Sequence, residues 1–191
     1  VKVRWCFQPC AQLGGDIFGY HWVREGQLAI YLLDVSGHGV GAALLSVSVL
    51  NVLRAQSLPQ TDFGNPASVL GRLNHVCQMD QQNNLIFTLW YGVFDVARHQ
   101  LTYASGGHPP AVLIERPLGD APRLRLLSTA GRVIGCDPEA GYHGETCTVP
   151  AGSTLFVFSD GVYEILCADG RTLQLKDLLE QLNRSVRAQC T

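Results

Sequence analysis

The chain has no cluster of lysine and arginine, no apolar run long enough to cross a bilayer, no C-x-x-C pair, and no internal repeat or low-complexity stretch. Each absence removes a class of function. With 14 Lys and Arg against 16 Asp and Glu, the net charge is −2, which leaves no electrostatic footprint for nucleic acid or an anionic lipid surface. The short apolar runs speak against a transmembrane helix, and Val1-Lys2-Val3-Arg4 lacks the basic, apolar and small-residue layout of a signal peptide. Seven cysteines (Cys6, Cys10, Cys77, Cys136, Cys147, Cys167 and Cys190) are odd in number and sit mostly among apolar neighbours. They read as reduced thiols, mostly in the core, and not as a zinc or redox motif. What is present is a hydrophobic fraction of 47% in 191 residues, enough to bury the core of one compact, cytoplasmic domain spanning 1–191. Because the chain does not begin with Met, it is expected to be excised from a longer protein.

Three aspartates stand out by position. Asp34 ends the apolar run Leu28 to Leu33 and opens the turn Asp34-Val35-Ser36-Gly37-His38-Gly39. Asp16 follows Gly14-Gly15 at the head of the preceding strand, and Asp160 follows the run Leu155-Phe156-Val157-Phe158 and precedes Gly161. A carboxylate at the rim of an apolar sheet needs a favourable partner, and a divalent cation is the strongest one available. Neighbouring glycines let backbone carbonyls approach such an ion. Taken singly, each Asp could instead open a turn or cap a helix. Three of them at strand ends point to one site, suited to Mg2+ or Mn2+, which take oxygen ligands and keep several waters.

Other polar residues leave alternatives open. His38 either orients the site and donates to a leaving group or is a turn residue bonded to backbone, and His108 in Gly106-Gly107-His108-Pro109-Pro110 reads as part of a tight turn. Cys10 lies near the Asp16 loop, but a soft thiol is a poor partner for a hard cation. Thr88 and Ser105 read as strand residues, while Glu164 either supports the site or caps a short helix.

Periodicity supplies the elements. Ile17 to Arg24 and Gln27 to Leu33 flank Glu25-Gly26 as a hairpin. Val40 to Leu53 is apolar nearly all round, which predicts a helix buried on most sides, so that Leu44→Asp should unfold the domain. Asn65-Pro66 supplies a cap and a first-turn proline for a second helix ending near Gln81. Leu85 to Val96, Gln100 to Ser105 and Ala111 to Glu115 predict an antiparallel meander, followed by a short edge strand at Leu124 to Leu127 and by strands at Gly144 to Val149 and Thr154 to Phe158. Leu175, Leu178, Leu179, Leu182 and Val186 mark a last, amphipathic helix. Helices followed by a run of strands imply an α+β domain of antiparallel sheets covered by helices.

Five motifs then occur in one order: Leu13-Gly14-Gly15-Asp16; Asp34 to Gly39 with Ala42-Ala43-Leu44; Phe87-Thr88-Leu89 with Tyr91-Gly92-Val93; Leu101 to Pro110; and Phe158-Ser159-Asp160-Gly161-Val162-Tyr163-Glu164. In this the chain resembles the bacterial branch of the metal-dependent Ser/Thr protein phosphatases, the PPM superfamily, of the type that regulates sporulation and stress sigma factors. The resemblance covers nearly the whole chain. It implies an α-β-β-α sandwich with two Mn2+ or Mg2+ ions in a cleft at one edge, held by Asp16, Asp34, the Val35 carbonyl and Asp160. It implies a phosphoserine or phosphothreonine protein as substrate, typically an anti-sigma-factor antagonist of the STAS type, and a sensor or receiver domain in the same protein as regulator. In the family a further strand with an Asp-Asp-x-Thr motif usually follows the last helix, whereas here no acidic residue follows Glu180, and many relatives carry Asp where this chain has Gly19. An active phosphatase is the leading expectation. A phosphatase-like binding module that does not turn its partner over is the alternative, and a hydrolase of small phosphoesters is poorer still.

Overall fold

The computed structural model describes residues 1–8, 13–116 and 121–188; Cys10 and Cys190 lie outside them. Strands β1 (Ile17–Arg24) and β2 (Gln27–Val35) form the expected antiparallel hairpin. Helices α1 (Val40–Arg54) and α2 (Pro66–Val76) follow, and α2 starts as its sequence predicts, with Pro66 at its opening and the Asn65 side chain accepting from the Ser68 amide. Next come β3 (Phe87–Asp95), β4 (Gln100–Gly106), β5 (Ala111–Glu115), β6 (Arg123–Leu127), β7 (Glu145–Thr148) and β8 (Thr154–Phe156), and α3 (Leu175–Ala188) closes the series.

The strands form two antiparallel sheets, of order β1-β2-β3-β4-β7 and β6-β5-β8. Alternation along each strand sorts the side chains into layers. Tyr31, Leu33, Leu89 and Tyr91 point to the helix side and pack with Val49 and Leu53 of α1 and Val69 and Leu73 of α2. Trp90, Leu101, Tyr103, Leu113 and Cys147 fill the space between the sheets. Val112 and Ile114, on the other side of β5, meet Leu178, Leu182 and Val186 of α3. The layering is therefore the expected α-β-β-α sandwich. Fully burying one such Leu or Val contributes about 1.5–3 kcal/mol. Two large polar tips in the core find partners: Trp90 Nε1 donates to the Leu127 carbonyl at 3.0 Å, and the Tyr91 hydroxyl donates to the Phe63 carbonyl at 3.0 Å.

Several expectations are corrected. The three central runs do not form one meander, because β3 and β4 pair in the five-stranded sheet while β5 lies in the other. Pro109 and Pro110 have no amide hydrogen to donate back to β4, and the Gly107 amide donates instead to the Gly131 carbonyl at 3.0 Å, so the segment crosses between sheets. Helix α1 is not buried on most sides. Ala42, Leu45, Val49 and Leu53 are buried, whereas Val40 and Leu44 are 64% and 63% exposed. Composition made the helix apolar all round, but a helix lying on a flat sheet covers one stripe only. The α2 ladder ends at Val76, not near Gln81, because the Met79 amide turns away to the Gly135 carbonyl at 3.0 Å and starts a separate 3-10 turn, Met79–Gln81. Strand β8 ends at Phe156 rather than Phe158. Among the described cysteines only Cys77 and Cys147 are buried; Cys6 and Cys136 are exposed, since apolar neighbours in sequence do not decide which way a side chain faces.

Candidate active site

Strand register brings the first two aspartates together. Ile17 pairs with Leu33, so Asp16, one residue before β1, comes opposite Asp34, and Asp34 in turn pairs with Thr88 of β3. Paired residues share a face, and even-numbered positions on β3 such as Trp90 face the space between the sheets. The row Asp16, Asp34, Thr88 thus lies on the inner side of the five-stranded sheet, at its end. Beyond Asp34 the chain is fastened on both flanks. The Ser36 amide donates to the Ile86 carbonyl at 2.8 Å and the Ile86 amide to Ser36 Oγ at 3.2 Å, while the Gly39 amide donates to the Leu13 carbonyl at 2.7 Å and His38 bridges Gly14.

Gly15 is required by a close approach. A Cβ at that position would stand 2.5 Å from the Val35 carbonyl oxygen and 2.8 Å from the Val35 Cβ, so only glycine lets the Asp16 segment nest against the Asp34 turn. Gly19 has a different reason. It pairs with Tyr31 on the helix side of the sheet, and a Cβ there would stand 2.6 Å from the Tyr31 ring. An aspartate at 19 would point away from Asp16 and Asp34, so its absence takes nothing from this row.

Asp160 arrives from the other sheet. After β8 the chain leaves the ladder and enters a 3-10 turn, Asp160–Val162, in which the Asp160 carbonyl accepts from the Tyr163 and Glu164 amides at 2.9 and 2.8 Å. Glu164 is exposed and its backbone amide joins that turn. Electrostatics report how the three carboxyls sit. Asp34 is pushed up to about 7, first by burial, then by the hydrogen bond its protonated carboxyl donates to Asp16 and by the charges of Asp16 and Asp160. Asp16 and Asp34 are therefore in contact, and Asp160 is felt through space. Among the described residues no three of His, Cys, Asp and Glu converge tightly enough to form a closed metal cage. Partly buried carboxylates without a cationic partner, beside a backbone carbonyl in a glycine cradle, are a donor set that fits hard divalent cations which retain water. Asp16, Asp34, the Val35 carbonyl and Asp160 remain the candidate ligands.

His38 is exposed at the rim, with its backbone in the turn. His108 is 6% exposed, and its ring touches both sheets: Nδ1 lies 2.7 Å from Thr88 Oγ1 and Nε2 lies 3.2 Å from the Phe158 carbonyl. The Ser105 hydroxyl donates to the His108 carbonyl at 3.0 Å. Thr88 and Ser105 are strand residues as expected, but their hydroxyls serve this link, which the sequence reading missed. Thr88 meets Asp34 only through the β2–β3 register, which the two intervening helices hide from the sequence.

The sequence model of the family described as Stage II sporulation protein E (SpoIIE) matches residues 24–190. Phosphoserine phosphatase RsbU of Bacillus subtilis (strain 168) is 30% identical over 163 residues, which is 85% of this chain and 46% of RsbU. The SiaA-PP2C domain of Pseudomonas aeruginosa shares the fold with a TM-score of 0.74 at 19% identity, over 92% of this chain and 68% of that one. RsbX, solved in complex with magnesium, does so with a TM-score of 0.59 at 18% identity, over 90% of this chain and 80% of that one. The chain spans less than half the length of the curated relatives it matches. From its sequence match over residues 24–190, the chain belongs to the family described as Stage II sporulation protein E (SpoIIE).

Proposed function

We propose that this domain is a metal-dependent protein-serine/threonine phosphatase. The observation that carries the reading is the gathering of Asp16, Asp34 and Asp160 at one end of the sandwich, with Asp34 pushed up to about 7 by burial and its two neighbours. Such an arrangement is costly for a structural role and favourable for a cation site. Asp16, Asp34, the Val35 carbonyl and Asp160 would hold two ions, Mn2+ or Mg2+. When bound, such ions supply an activated water and neutralise phosphoryl oxygens, so no covalent enzyme intermediate is needed. The protein's part is orientation. The β2–β3 pairing fixes Asp34, Gly15 brings the Val35 carbonyl beside Asp16, and the turn Asp160–Val162 presents Asp160 from the opposite sheet.

RsbU is named a phosphoserine phosphatase, which supports a phosphoserine or phosphothreonine protein as substrate. We read that substrate as a STAS-type anti-sigma-factor antagonist in the cytoplasm, with a sensor or receiver domain of the same protein as regulator. No described helix is long and apolar enough to cross a membrane. The test is phosphate release from a phosphoserine protein with Mn2+ supplied and then removed by EDTA. Asp34→Ala and Asp160→Ala should each abolish release while circular dichroism stays native. Full activity in either variant would remove the metal mechanism, and folded wild type that releases no phosphate with Mn2+ supplied would leave the binding-module alternative.

A further inference from the structure

Asp34 and Asp160 belong to different sheets, so their separation depends on how the two sheets are joined at this end of the sandwich. Strand β8 gives no help, since its ladder with β5 stops at Phe156, four residues before Asp160. The carbonyl of Phe158 has left the sheet, and it is His108 that meets it. The same ring reaches Thr88, the strand partner of Asp34.

We infer that His108 is a positioning residue, whose neutral imidazole ties the strand partner of Asp34 to the backbone just ahead of Asp160 and thereby sets the gap between the two carboxylates. The inference rests on the reading of those carboxylates as metal ligands. Hydrogen-bond logic fixes the ring's state. A carbonyl only accepts, so Nε2 carries the proton and donates to Phe158, which leaves Nδ1 to accept from the Thr88 hydroxyl. One donor and one acceptor are each used once, as a neutral imidazole allows. Burial pulls the ring down to about 4, against the smaller opposing effects of the Phe158 carbonyl and Asp16, so the neutral form persists through the working range. The loop carrying the ring is itself anchored, by the Ser105 hydroxyl on the His108 carbonyl and by the Gly107 amide on Gly131. A ring fixed on three sides transmits position, which a mobile side chain would not.

The test uses the full chain with Thr88→Val, His108→Gln and His108→Ala, and Leu53→Ala, at the far end of α1, as a control that perturbs stability away from this link. Mn2+ affinity is read by titration calorimetry, kcat and KM by p-nitrophenyl phosphate hydrolysis, and folding by thermal melts. Thr88→Val keeps the shape and removes only the hydroxyl, so it serves even if the His108 variants fail to fold. The expected result is a loss of Mn2+ affinity of about 10- to 100-fold for Thr88→Val, the size of effect that outer partners of metal ligands exert. With it should come a fall in kcat at little change in KM. His108→Gln, whose amide can still donate to Phe158, should bind Mn2+ better than His108→Ala, and Leu53→Ala should bind as wild type. If wild type binds Mn2+ and Thr88→Val binds it equally well, the positioning role is overturned while the metal reading stands. If folded wild type binds no Mn2+, the metal reading falls and this inference falls with it.

Discussion

Replacing Asp34 by Asn should stabilise the metal-free protein at the same stroke that disables it. Burial and the nearby Asp16 and Asp160 raise the Asp34 carboxyl from 3.8 to about 7. Its folded-state value therefore lies above the unfolded one, so its contribution to stability is fully present below about pH 4 and is lost as pH rises through about 7. At about 1.4 kcal/mol per pH unit, ionising it in the fold costs about 4 kcal/mol at most. Asp34 is only partly buried, and screening by water reduces this to about 2 kcal/mol. In a domain of this size that corresponds to a melting temperature about 4–8 °C higher for Asp34→Asn than for wild type in EDTA at pH 8. At pH 4 the gain should vanish, because the wild-type carboxyl is then protonated. His108, pulled down from 6.5 to about 4, has the opposite sign, with stability rising as pH rises from about 4 to 6.5, but it is common to both proteins and cancels. Added Mn2+ should reverse the order at pH 8, since only wild type gains stability by binding it. Thermal melts followed by circular dichroism at both pH values decide the matter. An Asn variant that melts at or below wild type in EDTA at pH 8 would refute the claim that these carboxyls repel one another.

Gly15→Ala inserts a methyl 2.5 Å from the Val35 carbonyl oxygen and should cost about 1–3 kcal/mol of stability while weakening Mn2+ binding; unchanged melts and titrations would contradict the cradle. Leu44→Asp, on the exposed stripe of α1, should cost no more than about 1 kcal/mol in urea denaturation, whereas Leu53→Ala, fully buried beneath the same helix, should cost about 2–5 kcal/mol. The reverse ranking would mean that α1 packs by its other face. Asn74→Ala removes donation to the Asp137 carbonyl and acceptance from the Gly135 amide, at 2.9 and 2.8 Å, and should cost about 1–3 kcal/mol and speed proteolysis within 129–143. Equal digestion rates would show that Asn74 does not hold that segment.

Local signals in the sequence were read well where one element decides the outcome. The Glu25-Gly26 hairpin and the Asn65-Pro66 helix start each follow from a few adjacent residues. What could not be read is set by distant partners. Whether α1 buries one stripe or its whole surface depends on what packs over Leu44, and β5 joins the second sheet because of contacts made by Gly107 and Gly131. The His108 link needs Thr88 of β3 and Phe158 of the segment after β8, which are 70 residues apart in sequence. A glycine-flanked histidine before two prolines looks like a turn, and it is one; its second role appears only once the sheets are stacked.

The account rests on divalent cations binding between Asp16, Asp34 and Asp160. Titration calorimetry of Mn2+ into the metal-free, folded full chain, with phosphate release from a phosphoserine protein followed on the same sample, tests it most directly. The account predicts saturable Mn2+ binding that is lost in Asp34→Ala and phosphate release that rises with occupancy. Folded protein that takes up no Mn2+ and releases no phosphate would contradict it.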